Sequence, residues 1–236
     1  MQPDTSAIPV QPCRNCGTQA PVDVHFCPRC DRILTLGRHG DYFTFFGLHR
    51  RLQVDPRDLE QRFRALSRQF HPDYFHNSTG AERLASLERS SYLNDAFRTL
   101  RDPVARLEYL LKLEGFAPKE ARESSSQVPA GLLEEVFELN EELEGIQDMR
   151  AGGAPAGEVA ARLDAARTPI EENLGTHERQ LAELMATHDG QFNAGDGAGR
   201  HATLEAMRTL LLERTYLTNL LATVRREMGG DEAARP

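Results

Sequence analysis

The four cysteines of the chain all lie in one short segment, CRNCGTQAPVDVHFCPRC, where they form two Cys-x-x-Cys pairs. Two residues between thiolates allow a tight turn to direct both sulfurs at one cation, and the intervening segment can fold back as a hairpin. The spacing therefore predicts a tetrahedral metal site with zinc as the first choice and iron as the second. The predicted ligands are Cys13, Cys16, Cys27 and Cys30.

Two disulfides or a redox-active pair are the competing interpretations of the cysteines. A compact quartet in a cytosolic chain favours metal, and so small a module would fold only as it binds the ion. Gly17 can adopt the positive φ that the first turn needs. His25 is predicted to be a surface residue, with the replacement of one sulfur as the alternative.

A second candidate site is the tripeptide His-Pro-Asp at positions 71–73, which follows an amphipathic segment. Asp55 is a predicted N-cap with proline at the first helical position. The helix should end near Phe70, because Pro72 disfavours the α conformation in the residue before it. On its own the tripeptide is weak evidence for a functional site. It could also be a simple turn, or His71 and His76 could form half of a metal site.

The same helix carries a basic stripe on the side opposite its apolar residues. A solvated face is the simpler explanation of such a stripe. However, the chain has a net charge of −8, so a row of arginines stands against its overall character. The stripe contains Arg57, Gln61, Arg64 and Arg68.

Composition limits the class of protein. The chain has 236 residues, of which 39% are hydrophobic and 27% charged, which predicts a folded protein of more than one domain. Its acidity disfavours nucleic acid and anionic membranes as partners. Because no apolar run approaches about 18 residues and the start resembles no targeting signal, we expect a cytoplasmic protein.

The second half of the chain is polar and proline-bounded up to Pro129 and then helical, which predicts a linker followed by a bundle. We expect chain reversals at AGGAPAG and GQFNAGDGAG, with a middle helix from Ala156 to about Thr187 and a kink or restart at Pro169. The predicted fold is mainly α. Its parts are a zinc-ribbon-like module (1–40), a helical domain (41–115), a linker (116–129) and an antiparallel three-helix bundle (130–236).

The stretches DYFTFFGL, FHPDYF, LNDAFRTLRDPVARLEYLL and LLEEVFELNEELEGI resemble the HscB type of J-domain co-chaperone, which serves iron–sulfur cluster assembly. The resemblance spans all but the first forty residues, and some members carry a similar cysteine module. It implies that His71, Pro72, Asp73 and the arginines of the stripe dock on a DnaK/HscA-type ATPase chaperone. It also implies no enzymatic activity of its own and a monomer or weak dimer.

The resemblance further implies that the bundle binds an IscU-type iron–sulfur scaffold. The implied residues are Leu133, Phe137, Glu138, Glu141 and Tyr216. From pattern alone, Leu133 and Phe137 form one apolar stripe off the packing seam and Leu212, Tyr216 and Leu220 form another. A wider bundle core would explain both stripes equally well. Glu134 and Gly145 depart from the family pattern at the edge of this surface.

Two other functions remain open at this point. The first is a metal- or redox-responsive regulator in which the cysteine quartet acts and the helices are a platform. The second, weaker one is a general DnaJ-type co-chaperone for unfolded clients, although no Gly-rich linker or sheet-based client domain is visible in the sequence.

Overall fold

The computed structural model describes residues 10–36, 40–116 and 132–232, with side chains up to residue 229. The chain divides into two compact units, residues 1–110 and 111–236. The predicted linker lies outside the described residues except for Phe116.

The cysteine module, residues 10–36, is built from two short strands and two tight turns. Strands β1 (Val10–Pro12) and β2 (Gln19–Pro21) pair antiparallel, with Val10 opposite Pro21. Gly17 has a φ of +71°, as predicted for the first turn. The prediction that the segment between the two cysteine pairs folds back as a hairpin is wrong, because the two paired strands lie on either side of the first pair, Cys13 and Cys16.

Four α-helices and one 3-10 turn follow in the first part of the chain. They are α1 (Tyr42–Phe45), α2 (Pro56–Phe70), the 3-10 turn (Pro72–Phe75), α3 (Gly80–Arg101) and α4 (Pro103–Leu113). Asp55 caps α2 by accepting a hydrogen bond of 2.9 Å from the Arg57 backbone N–H, as predicted. Packing between α2 and α3 includes a stacked pair of rings, Phe63 and Phe97, with centroids 4.2 Å apart.

Three further helices form the predicted antiparallel bundle. They are α5 (Leu133–Ala151), α6 (Ala156–Ala194) and α7 (Gly197–Glu232). All three contribute to one apolar core, exemplified by Ile146, Leu163 and Val224, which are almost fully buried. Within the part of the chain that is described, no helix combines the length and apolar character that a bilayer crossing requires.

Two details of α6 differ from the prediction. The helix runs without interruption through Pro169, so no restart occurs there. It also continues seven residues beyond the predicted end to Ala194, where Gly195 ends it with a φ of +71°. The first five residues of the predicted reversal GQFNAGDGAG, residues 190–194, are therefore helical, because packing of α6 against α7 overrides their low helix propensity.

Candidate functional site

The four cysteines converge on one point. The Sγ atoms of Cys13 and Cys30 lie 3.7 Å apart, those of Cys16 and Cys27 lie 3.6 Å apart, and all four lie within 4.8 Å of one another. A tetrahedral zinc with sulfurs at about 2.3 Å requires sulfur–sulfur distances of about 3.8 Å. The residues therefore fit a metal ion, whereas a disulfide needs sulfurs about 2.05 Å apart. All four thiols are free.

The surroundings of the thiols differ in their effect on the pKa. The backbone N–H groups of Cys16 and Asn15 lower the pKa of Cys13, and the Thr18 hydroxyl lowers the pKa of Cys16 to about 6. Burial raises the pKa of Cys27 to about 11. A divalent cation supplies the charge that stabilises a buried thiolate, so this set of donors suits a metal better than four free thiols.

The cysteine module packs against the first helical domain through a buried arginine. Arg89 of α3 is 1% exposed, and its Nε donates a hydrogen bond of 2.8 Å to the backbone carbonyl of Leu34. Its Nη2 donates to the carbonyl of Thr35 at 3.3 Å, and its Nη1 lies 2.7 Å from His25 Nδ1. Burial lowers the pKa of Arg89 to about 10, which leaves it charged at neutral pH.

The prediction that His25 is a surface residue is wrong. Its ring packs edge-on against Phe45 and Phe70, with centroids 4.8 and 4.9 Å away. Burial and then the charge of Arg89 lower the pKa of His25 to about 4, so the neutral ring accepts the hydrogen bond from Arg89. The histidine therefore joins the module to the helices, and it is not part of the sulfur cluster.

A second polar contact joins the module to the start of α3. Arg32 Nη1 donates to both carboxylate oxygens of Glu82, at 2.8 and 2.9 Å. Glu82 also accepts hydrogen bonds from Thr79, from its backbone N–H at 3.1 Å and its hydroxyl at 2.8 Å, which completes a capping box at the start of α3. The hydrogen bonds from Arg32 hold the pKa of Glu82 below its usual value.

The His-Pro-Asp loop, residues 71–79, begins where α2 ends, as predicted. The backbone carbonyl of Phe70 accepts hydrogen bonds from Ser86 Oγ at 2.7 Å and from Ser90 Oγ at 3.0 Å. His71 Nδ1 accepts from the Asp73 backbone N–H at 3.3 Å. The side chains of His71, Asp73 and Tyr74 are exposed. The loop is thus fixed to α3 and presents an imidazole and a carboxylate to solvent.

The basic stripe of α2 is exposed at Arg57, Arg64 and Arg68. Arg64 pairs with Glu60 one turn away at 2.6 Å, which offsets part of its charge. Arg62, outside the stripe, turns inward and donates to the carbonyl of Phe46 at 3.0 Å. The two remaining stripe arginines lie at opposite ends of α2: Arg57 is in its first turn, and Arg68 is in its last turn, next to the loop.

The bundle surface consists of the five residues that the resemblance implies: Leu133, Phe137, Glu138, Glu141 and Tyr216. Four of them, all on α5, are exposed, and the exposed fractions of Leu133 and Phe137 reach 45% and 73%. Tyr216 is half-buried and packs against the bundle core. The apolar stripe on α5 is confirmed, whereas the stripe on α7 is partly core, because Leu220 also packs there.

Tyr216 of α7 packs against the apolar core to which Val136 and Leu139 of α5 contribute. A hydrogen bond of 2.6 Å from Arg150 Nη1 to the Glu227 carboxylate also joins α5 to α7, near the C-terminal ends of both helices.

Gly145, one of the departures from the family pattern, has a local explanation. A Cβ at this position would lie 3.2 Å from Nη2 of Arg162, whose guanidinium pairs with Glu142. A side chain at 145 would therefore require the guanidinium that joins α5 to α6 to shift by a few tenths of an ångström. Glu134, the other departure, is exposed.

Sequence reasoning missed the residues that join the module to α3. The pattern Thr79-x-x-Glu82 is a capping-box signature and could have located the start of α3. Arg89 interrupts the buried face of α3 between Ala85 and Leu93, and a cation at such a position signals a buried polar contact. Nothing in the sequence pattern indicated that backbone carbonyls of the module would be its partners.

A fixed His-Pro-Asp loop between two antiparallel helices, followed by a helical bundle, defines the architecture of a J-domain co-chaperone. No model of a protein family matches the chain. Among solved structures, human co-chaperone protein HscB is similar, with a TM-score of 0.63 and 26% identity over 92% of this chain and 98% of that one. The chaperone HscB from Vibrio cholerae has a TM-score of 0.50 and 27% identity over 81% and 99%. The HscB-type recognition made from the sequence is confirmed.

Proposed function

We propose that the protein is a co-chaperone that brings an IscU-type iron–sulfur scaffold to a DnaK/HscA-type chaperone and stimulates its ATPase, aiding cluster transfer and protein maturation. The observation that carries the proposal is the His-Pro-Asp loop. The loop is exposed, and its start is fixed because Ser86 and Ser90 donate hydrogen bonds to the carbonyl of Phe70, the residue before His71. The chain that carries this loop is similar to human HscB over most of its length. We place this activity in the cytoplasm.

The first half of the function is docking on the chaperone. Arg57 and Arg68 supply positive charge along α2, which steers association with an acidic surface. His71 and Asp73 then engage polar groups of the chaperone from a loop that needs little ordering on binding, which lowers the entropic cost. Because the ATP and its hydrolysis belong to the chaperone, this chain needs no catalytic residue.

The second half of the function is binding of the scaffold. Leu133 and Phe137 expose apolar area on α5 with Glu138 and Glu141 beside it, and Tyr216 of α7 is half-buried against the core that α5 helps to form. An aromatic and aliphatic centre with a charged rim is the usual anatomy of a binding hot spot. The bundle surface is therefore our candidate for the scaffold-binding site.

The metal of the cysteine quartet is proposed to be zinc, with iron as the alternative. Cys13, Cys16, Cys27 and Cys30 would hold it, and it would supply the folding energy of a module that has few buried apolar residues. Four sulfur ligands leave no open coordination position, which favours a structural role over a catalytic one.

The competing functions make different demands on the same residues. A metal- or redox-responsive regulator would lose activity on change of Cys13 and Cys27 and tolerate change in the His-Pro-Asp loop. A general DnaJ-type co-chaperone would bind unfolded chains through its second domain, but the described part of that domain is a helical bundle with a narrow exposed apolar stripe.

The test is a competition between clients. Immobilised full-length protein is offered an IscU-type scaffold together with a reduced, carboxymethylated unfolded protein. We expect selective retention of the scaffold. Retention of the unfolded chain with exclusion of the scaffold would favour the general co-chaperone, and retention of neither would remove the support for an adaptor.

A further inference from the structure

We propose that the cysteine module is a brace for the His-Pro-Asp loop, in which Arg32 and Arg89 transmit the metal-bound state of the quartet to the start of α3. The consequence for chaperone stimulation rests on the function proposed above. The brace itself is a property of the chain, and it can be measured without any partner.

The first step of the argument is that the metal fixes Arg32. The backbone N–H of Cys27 donates to the carbonyl of Arg32 at 2.9 Å, and that of Asp31 donates to the carbonyl of Cys27 at 3.0 Å. Arg32 therefore closes the turn that presents Cys27 and Cys30 to the metal. Because a module of this kind folds with its metal, the position of Arg32 depends on the occupied quartet.

The second step is that Arg32 holds the last residue of the loop through Glu82. The carboxylate of Glu82 accepts from Arg32 and from Thr79 at the same time, and Thr79 ends the loop that His71 begins. Glu82 is buried, so its charge needs the arginine. Release of Arg32 would leave a buried carboxylate with the threonine alone and weaken the cap of α3.

The third step is that Arg89 binds the module on the face of α3 that anchors the other end of the loop. Glu82, Ser86 and Arg89 are spaced by four and three residues, so they lie on one face of the helix. Ser86, in the middle, donates to the carbonyl of Phe70 directly before His71. The module thus contacts α3 on both sides of the residue that holds the start of the loop.

Arg89 makes this arrangement sensitive to the folding of the module. The partners of its buried guanidinium include two backbone carbonyls and one imidazole, all from residues 25–35. When the module unfolds, Arg89 loses these acceptors, and Phe45 and Phe70, which lie beside its guanidinium, lose the packed ring of His25. The loss of these hydrogen bonds and aromatic contacts removes stabilisation from α3. We therefore expect α3 to loosen around residues 82–90 when the metal leaves.

Hydrogen exchange of the full-length protein tests the brace directly. Amide exchange is compared for the zinc-loaded protein, for protein treated with a chelator under reducing conditions, and for the same sample after Zn²⁺ is restored. We expect exchange across residues 71–90 to accelerate about 10-fold on chelation and to recover with Zn²⁺, while residues 139–185 of the bundle are unchanged. Unchanged exchange in residues 71–90 would overturn the brace.

Single substitutions then separate the brace from general unfolding of the module. In Arg32→Ala we expect one bound metal per chain, faster exchange in residues 76–86, and a rise of about 3- to 10-fold in the protein concentration for half-maximal chaperone stimulation. Maximal stimulation should be unchanged, because His71 and Asp73 remain. Arg29→Ala, an exposed arginine of the same module, is the matched control and should change none of these quantities.

The partner of Arg32 is tested by a double-mutant cycle. Glu82→Gln keeps an acceptor for Thr79 but removes the charge, so in the Arg32→Ala background it should add little to the loss already measured. Arg32→Lys should restore part of the affinity. Equal behaviour of Arg32→Ala and Arg29→Ala would overturn the brace. If the unmodified protein stimulates no chaperone while exchange still responds to metal, the proposed function fails and the brace stands.

Discussion

The hydroxyl of Ser86 in α3 donates a hydrogen bond of 2.7 Å to the backbone carbonyl of Phe70, the residue that directly precedes His71. A carbonyl at the end of a helix has no partner within that helix, and Phe70 is fully buried. Ser86 therefore takes the place of a water molecule as the hydrogen-bond donor to this carbonyl, at the point where α2 ends and the His-Pro-Asp loop begins.

Loss of this hydrogen bond should be measurable as a loss of stability. We expect Ser86→Ala to lower the free energy of unfolding by about 1 kcal/mol, since Ser90 still donates to the same carbonyl. The double change of Ser86 and Ser90 to alanine should cost more than the sum of the single changes. Urea unfolding monitored by circular dichroism is the measurement, with exposed Ser91→Ala as the control; additive losses would contradict a shared acceptor.

The arginine stripe should affect the rate of association more than the fold. Changing Arg64 and Arg68 to glutamate replaces attraction by repulsion, so we expect weaker docking on the chaperone with little change in the melting temperature. The salt dependence of the association rate should also fall. The control variant changes Arg98 and Arg101 of α3 to glutamate, which alters the net charge by the same amount outside the stripe. Equal effects from the two pairs would show that net charge, and not the stripe, steers docking.

Metal analysis should find one zinc or iron ion per chain in protein prepared under reducing conditions. The double substitution Cys27→Ser and Cys30→Ser should abolish retention of the metal ion, because the two remaining sulfur ligands cannot complete a tetrahedral site. Chelation should leave the helical signal of the bundle intact. Because the module packs against α3, we also expect chelation to lower the stability of the first helical domain. Absence of metal from protein prepared in this way would refute the quartet as a metal site.

Substitutions on the bundle surface should separate binding from stability. Phe137→Ala should lower the affinity for an IscU-type scaffold by about 2 kcal/mol with an unchanged melting temperature, because the ring is 73% exposed. Tyr216→Ala should weaken binding as well, but it should also lower stability, since this ring packs against the core.

Calorimetry of scaffold binding and thermal unfolding of both variants are the measurements. Asn140→Ala, an exposed position on α5 outside the predicted surface, is the control. If Phe137→Ala binds the scaffold as tightly as the unmodified protein does, the bundle surface is not the scaffold-binding site.

The sequence was sufficient for features with a local physical cause. The cysteine spacing predicted the cluster of four sulfurs, and Asp55 with its following proline predicted the start of α2. Periodicity located the bundle. Composition misled at the end of α6, where Gly, Asn and Asp suggested a loop but tertiary packing favours the helix.

What the sequence could not reveal are contacts between distant segments. Arg89 and Leu34 are 55 positions apart, and Arg32 and Glu82 are 50 apart. Periodicity and local spacing predict neither pair. Arg89 binds the backbone carbonyl of Leu34, and Arg32 binds the carboxylate of Glu82, which also takes part in the cap of α3. His25 was placed on the surface for the same reason: its burial depends on Phe45 and Phe70, which lie in helices beyond the module.

The central claim is that this chain activates a DnaK/HscA-type chaperone through its His-Pro-Asp loop, and single-turnover ATP hydrolysis by that chaperone tests it most directly. We expect the protein to accelerate hydrolysis, and an IscU-type scaffold to increase the acceleration further. Changing His71, Pro72 and Asp73 to alanine should abolish the acceleration while the melting temperature stays nearly unchanged, because these residues lie in an exposed loop. Full stimulation by the triple-alanine variant would contradict the account.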